Sequence, residues 1–428
     1  MTEQVGIHEY IYSFANAKDL QAIIKHSALR LAEIYGQNND DSLEEKLLLL
    51  ANFIVPNEVD TLTKLSSFYY SKHQIDKAIK FAETILKITK NKNAYALLNA
   101  GILYSDHLCS EKAISCFKKS LKIQPDCYKA SFGLGVEYLK LGNFSKGWKH
   151  YYDRHKAFDL HEKADKRILR LPLWDGKSSG KVLFYNEQGY GDFFFSLRYL
   201  ENLPKNLDFN ILVDKNIFEL MKNTKYGVNC RLKYGKFDYR CSLLDIPYLF
   251  KINKHKEDSY NCIFPQHQTK NHGQLKIGIV FSGNPNYPSD FRRSIKLSEF
   301  SKMLDNKKIK YFLLQKDTSI NNKFYDIKLR IKNLADGIKT FEDTKNVLLE
   351  LDGLITVDTG LAHLSGCLGV PTFVLLDYSP DFRWQNSSDI TPWYKSWKLF
   401  KQTIRGSWSE PLQECQNYIE TNFINLRR

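Results

Sequence analysis

Three short segments carry the residue types that phosphate binding and proton transfer need. The most informative runs Leu354-Ile355-Thr356-Val357 into Asp358-Thr359-Gly360-Leu361-Ala362-His363-Leu364. An apolar run gives way to an acid, a hydroxyl and a glycine, and a helical run then opens with His363 on its first turn. In that order Thr359, Gly360 and Leu361 present backbone N–H groups to a diphosphate, at the helix end whose dipole favours anions. His363 reaches the same phosphate. The second segment is Phe281-Ser282-Gly283-Asn284-Pro285, followed by Arg292-Arg293-Ser294. A turn of small residues with adjacent arginines suits phosphate, because guanidinium groups pair with its oxygens in a forked geometry. A solvated surface pair is the alternative reading. The third is Asn186-Glu187-Gln188-Gly189-Tyr190-Gly191-Asp192, ahead of Phe193-Phe194-Phe195. Gly189 and Gly191, on either side of Tyr190, let the backbone turn sharply. Asp192 either caps the helix that follows, a role worth about 1 kcal/mol, or serves as a general base at a cleft floor.

Each segment must be positioned by a strand before it and a helix after it. Strand-type runs are read at Lys181–Tyr185, Asp208–Val213, Lys276–Phe281, Lys310–Gln315, Gly353–Val357 and, last, Thr372–Leu376. Helices are read at Lys215–Asn223, from Leu297, and at Leu361–Leu368. Strands interleaved with helices imply parallel sheets with crossover helices. Two such series, restarting near Leu275, imply two Rossmann-like lobes with their ligands beyond the carboxyl ends of the strands.

The first third of the chain has a different period. Gly101 and Tyr104 recur 34 residues later as Gly135 and Tyr138, Ala113 as Gly147, and Phe117 as Tyr151. Small residues at these places let paired helices approach, the tyrosine fills the gap beside them, and Pro125 closes a unit. An earlier, degenerate copy has Tyr69 or Tyr70 and Ala78. Gln21–Tyr35 and Ser42–Val55 read as amphipathic helices, a worn first repeat or an N-terminal cap. Helix pairs of this kind stack into a solenoid with a concave face that holds peptides, or else they only brace the domain that follows.

The repeat pattern resembles the tetratricopeptide (TPR) family. Val357–Leu364 with Gly369-Val370-Pro371-Thr372 resembles the donor-binding motif of bacterial heptosyltransferase-type GT-B glycosyltransferases. A wider resemblance, to bacterial proteins joining TPR repeats to such a domain, rests on Trp174-Asp175-Gly176, Glu187–Asp192, Gly283-Asn284-Pro285, Arg292–Ile295, Asp381-Phe382-Arg383-Trp384 and Trp393. The plan is also similar to eukaryotic O-GlcNAc transferase. Tyr190 departs from the small aliphatic residue commoner there, Phe193–Phe195 is unusually aromatic, and the repeat array is short.

The resemblance implies an α plus α/β chain: a TPR-like α-solenoid over residues 1–157, a linker at 158–179, an acceptor lobe at 180–272 and a donor lobe at 273–428. It implies metal-independent, inverting transfer of a sugar from a nucleotide-sugar donor to a hydroxyl, with no other cofactor. The acceptor would be a protein recruited by the repeats, as in flagellin glycosyltransferases. Asp192 matches the family's base, with Glu187 as second choice. Lys316, beside Gln315, matches a lysine on donor phosphate, and Glu342 or Asp343 matches an acid on the nucleoside. Ser282, Gly283, Asn284, Arg292, Arg293, Asp358, Thr359, Gly360, Leu361 and His363 complete the donor side. Gly189, Tyr190, Gly191 and Trp384 line the acceptor side. Trp384 and Trp393 either stack on sugar or base or pack between the lobes.

Bulk properties narrow the classes. The chain has 428 residues, 43% of them hydrophobic, enough for two or three domains with real cores. Its longest apolar stretch, Leu47–Val55, falls short of the roughly 18–20 residues a membrane span needs. Met1-Thr2-Glu3-Gln4 lacks a signal peptide's basic and apolar regions, and the eight cysteines show no metal or redox spacing. A reduced cytoplasmic protein is the expectation. The net charge of +14 is spread along helices without any nucleic-acid-binding signature, so a basic cleft for an anionic ligand is preferred to nucleic acid. An inactive TPR/GT-B scaffold is the competing function.

Overall fold

The structure, a computed structural model, describes residues 17–158, 167–253, 263–268, 273–287, 289–316, 331–385, 389 and 391–423. Residues 159–166 of the expected linker, and the boundary residue 272, lie outside them. The chain divides into two compact units, Met1–Glu137 and Tyr138–Arg428. The division falls earlier than the boundary read after residue 157, so the last two helices of the helical region belong to the second unit.

The helical region comprises α1 (Ala17–Gln37), α2 (Asp41–Ile54), α3 (Val59–Ser71), α4 (Ile75–Ile88), α5 (Ala94–Asp106), α6 (Ser110–Ile123), α7 (Tyr128–Lys140), α8 (Phe144–Tyr151) and α9 (Arg154–Ala157). It is a TPR-like stack of helix pairs. The period is written most clearly in the backbone. Asn39, His73, Leu108 and Gly142 all adopt left-handed φ, at 59°, 61°, 58° and 73°, each closing the first helix of a pair. Asn39 therefore identifies α1–α2 as a repeat of the same build, which resolves the alternative between a worn repeat and a cap. Asp40, next to it, caps α2 by accepting from the Leu43 amide at 3.1 Å.

Close approach explains the small residues. A Cβ on Gly101 would meet the Phe117 ring at 2.5 Å, and one on Gly133 would meet it at 2.6 Å. Gly133 thus shares the contact, two residues before the Gly135 expected from the period. Of the two candidate tyrosines Tyr69 takes the buried place, its hydroxyl donating to Glu45 at 2.7 Å as Tyr104 donates to Glu83 at 2.8 Å. A hollow of about 320 Å³ opens between α1, α2 and α3, lined by Leu29, Glu33, Glu44, Leu48, Lys64 and Phe68.

The second unit holds two all-parallel sheets. The smaller contains β1 (Val182–Tyr185), β2 (Phe209–Leu212), β3 (Cys230–Arg231) and β4 (Tyr239–Ser242), in the order β3-β2-β1-β4. The larger contains β5 (Leu275–Val280), β6 (Ile309–Leu313), β7 (Ile331–Asn333), β8 (Gly353–Val357), β9 (Thr372–Leu376) and β10 (Trp397–Lys401). Its order is β10-β9-β8-β5-β6-β7, the Rossmann arrangement in which direction of growth reverses beside the first strand. β1, β8 and β9 are buried at every position, as expected of strands covered on both faces. Ile277, Ile279, Ile355, Val357 and Leu375 form the centre of the larger core. Strands β3, β4, β7 and β10 lie outside the runs read from sequence, and Thr372–Leu376 is not the last strand.

Connecting helices are α10 (Tyr190–Ser196), α11 (Lys215–Lys222), α12 (Ile246–Leu249), α13 (Asp290–Arg293), α14 (Leu297–Phe300), α15 (Phe341–Glu350), α16 (Gly360–Cys367) and α17 (Ser409–Tyr418). Among the described residues no helix is long and apolar enough to cross a membrane.

Candidate functional site

The carboxyl ends of the two sheets deliver their loops to one place. The turn after β1 starts α10, the turn after β8 starts α16, and the two helix starts abut. A Cβ on Gly191 would lie 2.9 Å from His363 Cδ2, and one on Gly360 would lie 3.1 Å from the Gly191 nitrogen. Only glycines permit this approach. Thr359 caps α16 through its hydroxyl, which accepts from the Ala362 amide at 3.3 Å. As at any helix start, the first amides behind the cap lack intrahelical acceptors.

Asp192 stands beside this junction with its side chain 16% exposed. One oxygen accepts from the Gly189 amide at 3.0 Å, so the capping role is real. The other is held by the Arg383 guanidinium. Burial pushes the Asp192 carboxyl above its ordinary range, and Arg383 opposes the shift. Arg383 also pairs with Asp381 at 2.6 Å and lies over the rings of Phe195 and Phe382 at 5.0 and 4.5 Å.

Asp358 accepts from the Trp384 indole N–H at 3.0 Å. Burial pushes its carboxyl up to about 6 although Arg293 pulls it down. Trp384 itself is fully buried, stacked on Trp397 at 5.0 Å. Of the two roles read for it, packing is the one it performs here. His363 is likewise buried, 3% exposed. Its Nδ1 faces the Tyr394 hydroxyl at 3.0 Å, and Trp384 and Trp397 flank the ring. Burial first, then Arg383 and Arg198, hold its pKa well below the usual range, so it is a neutral imidazole at pH 7.

The phosphate-type loop after β5 is closely knit. A Cβ on Gly283 would collide with Asp290 Oδ1 at 2.1 Å, and the Gly283 amide donates to Ser294 Oγ at 2.9 Å. The Ser282 amide donates to Gln315 Oε1 at 3.2 Å, joining this loop to the end of β6. Asn284 closes a local turn by accepting from the Asn286 amide at 3.0 Å. Arg292 reaches Asp377 at 3.1 Å, which ties the loop to the one after β9. Arg293 pairs with Asp290 at 2.8 Å and lies 4.9 Å over the ring of the exposed Tyr287. Asp381, Asp358 and Asp192 all bear electrostatically on the Tyr287 hydroxyl, so Tyr287 borders the same region.

Other residues read from sequence are placed differently. Glu187 does not join Asp192. Its side chain, 1% exposed, pairs with Arg154 of α9 at 2.5 Å. Arg154 also binds Asp245, after β4, at 2.7 Å, and His155 binds the same carboxylate at 2.8 Å. Burial pushes Asp245 up, but Arg154 and His155 outweigh it and hold the carboxyl low. Arg154 therefore fills the crevice beyond β1 and β4, the switch point of the smaller sheet. Tyr190 bonds Asp214 at 2.7 Å through its hydroxyl and meets Phe341 edge-on at 4.7 Å. Asp343 caps α15, accepting from the Thr340 and Lys339 amides at 2.8 and 3.0 Å, and these bonds hold its carboxyl low. Glu342 pairs with Lys345 at 2.6 Å. Lys316 is exposed and close enough to act on Asp343. Leu361 is half-buried.

Arg383, Asp381, Arg154, Asp245 and Tyr287 were not among the residues singled out from sequence. The Asp-x-Arg spacing in Asp381-Phe382-Arg383 was the available signal, overshadowed by the tryptophan beside it. Among the described residues no group of three or more His, Cys, Asp or Glu side chains is placed to hold a metal ion.

No family model matches the chain, and no curated protein matches it. Solved structures with some likeness include the MamA protein, 17% identical, covering 31% of this chain and 73% of its own with a TM-score of 0.29. Pseudomonas aeruginosa PilF is 16% identical over 32% of this chain and 62% of its own, TM-score 0.29. A tetratricopeptide repeat protein from Parabacteroides merdae is 19% identical over 34% of this chain and 57% of its own, TM-score 0.29.

Proposed function

We propose that the chain is a glycosyltransferase of GT-B type, taking a sugar from a nucleotide-sugar donor and giving it to a hydroxyl on a protein bound by the helical repeats. The observation that carries this reading is the meeting of the two sheets' carboxyl-end loops at Gly191 and Gly360. It sets a carboxylate from one side, Asp192, beside a helix start and the Arg293 loop from the other. Donor phosphates would lie against the amides of Thr359, Gly360 and Leu361, with Lys316 and Arg293 balancing charge on the departing diphosphate. Asp192 would remove the acceptor proton. With one oxygen on the Gly189 amide and one on Arg383 it still has lone pairs to accept that proton, and burial makes it a stronger base than a solvated aspartate. Transfer would be a single displacement with inversion, independent of metal. His363, neutral and buried, would act by packing α16 and by neutral hydrogen bonding, not by charge.

The test is a calorimetric or thermal-shift screen of the purified chain against UDP, ADP, GDP, CMP and their sugar conjugates. One nucleotide should saturate, Lys316→Ala should weaken it, and Asp192→Asn should abolish turnover while sparing binding. Lys316 is the better probe than His363, whose loss would open the core. A second reading, a binding scaffold without catalysis, is favoured by the internal saturation of Glu187, Trp384 and Arg292. Absence of binding by every nucleotide in a folded sample would establish that reading instead.

A further inference from the structure

We infer that Arg383 is a positioning residue for Asp192, a charged clamp from the side of the larger sheet that orients and charges the carboxylate of the smaller one. The inference rests on the glycosyltransferase reading for its meaning, though not for its test. Arg383 lies in the turn Phe382–Trp384 after β9, and Asp192 lies in α10 after β1. The pair is thus formed by elements of separate sheets, 191 residues apart in sequence. Everything around Arg383 fixes the guanidinium in place. The side chain is 8% exposed, the Asp381 carboxylate takes Nη1 and also the Arg383 amide, and two phenylalanine rings flank the cation. Nε is buried with no hydrogen-bond partner among the described residues, so its two Nη groups carry the orientation. A forked, planar cation holds one carboxylate oxygen in a defined direction, as a lysine's point charge does not. Asp192 Oδ2 is fixed separately by the Gly189 amide, so the two contacts together set the plane of the carboxylate.

The groups that bear on Asp192 are Arg383, Asp381, Glu187, Tyr151 and Tyr287. Arg383 is the one cation among them. An opposite charge at this range lowers a carboxyl by roughly 1–3 pH units, so removing it should raise Asp192 by about one unit or more. Removing Asp381 should do the reverse, because it takes away a like charge and leaves the guanidinium to Asp192 alone.

The experiment is carboxyl carbon NMR on the full chain labelled at aspartate, with Asp192 assigned from an Asp192→Asn sample. Arg383→Gln should move the Asp192 titration up by about one unit or more, Arg383→Lys should restore part of the shift, and Asp381→Asn should move it down. Asp381, with its side chain 39% exposed, is the change best tolerated by the fold, so the prediction survives if Arg383→Gln does not fold. An unchanged titration in Asp381→Asn or in folded Arg383→Gln overturns the inference. Once a donor is in hand, the acid limb of kcat/KM should follow the same shifts, about a tenfold loss on that limb for Arg383→Gln, with donor Kd unchanged. A weaker donor Kd beside an unmoved titration would make Arg383 a donor ligand and overturn the positioning role. If the titrations move and no nucleotide sugar is ever turned over, the clamp stands and the glycosyltransferase reading falls.

Discussion

At the scale of single residues, Asp358 makes the sharpest statement about stability. Its carboxyl is raised to about 6 in the fold, whereas an unfolded aspartate ionises near pH 4. Between those values the native state keeps a proton that the unfolded chain has released. Stability therefore falls as pH rises through that window, and the deficit is complete above pH 6. Asp358→Asn keeps an acceptor for the Trp384 N–H, so it should stabilise the protein by about 2 kcal/mol at pH 7 and by nothing near pH 3.5. Denaturant midpoints at the two pH values check this, and equal effects at both would show an ordinary carboxyl. Arg154 makes the opposite kind of statement. Arg154→Ala would leave the Glu187 and Asp245 carboxylates buried without their cation, costing about 3–5 kcal/mol in denaturant unfolding. Asp192, Asp358 and the arginines after β5 were legible because each sits in a short segment with its turn. Arg154 and Arg383 were not, because their partners lie 33, 91 and 191 residues away, and nothing local in sequence encodes such a pair.

At the scale of elements, the contact of α10 with α16 decides whether the two loops share a site. Gly191→Ala would gain up to about 1 kcal/mol of helix propensity, yet its Cβ would press on His363 Cδ2 at 2.9 Å. Overpacking of that kind costs about 1–3 kcal/mol. The expected net result is a less stable protein with a weaker nucleotide response, and a stabilised variant would mean that the helices part easily. Central strands β1, β5, β8 and β9 were legible from their apolar runs. Strands β3 and β7, at two and three residues, are too short to show a period. The edge strand β10 carries Lys398 and Lys401, charges that protect sheet edges and that also hide a strand from a search for hydrophobic alternation. In the helical region the turn after each first helix was hidden differently. Asn39, His73, Leu108 and Gly142 share a backbone conformation and not a residue type.

At the scale of the whole molecule, the sequence divides by period into a helical repeat and an α/β region, and both are present. The helical period fades only after Tyr151, yet the compact division comes at Glu137, because α8 and α9 pack with the sheets. Trp148 of α8 meets Phe382 at 5.8 Å, and Arg154 of α9 reaches into the smaller sheet. That last reach bears on how many small molecules the protein takes up. Two Rossmann-like sheets provide two natural crevices, but an internal arginine already occupies one of them as a permanent tenant. The chain should accordingly bind nucleotide with a stoichiometry of one, measurable by isothermal titration. A value of two would mean that the tenant can be evicted.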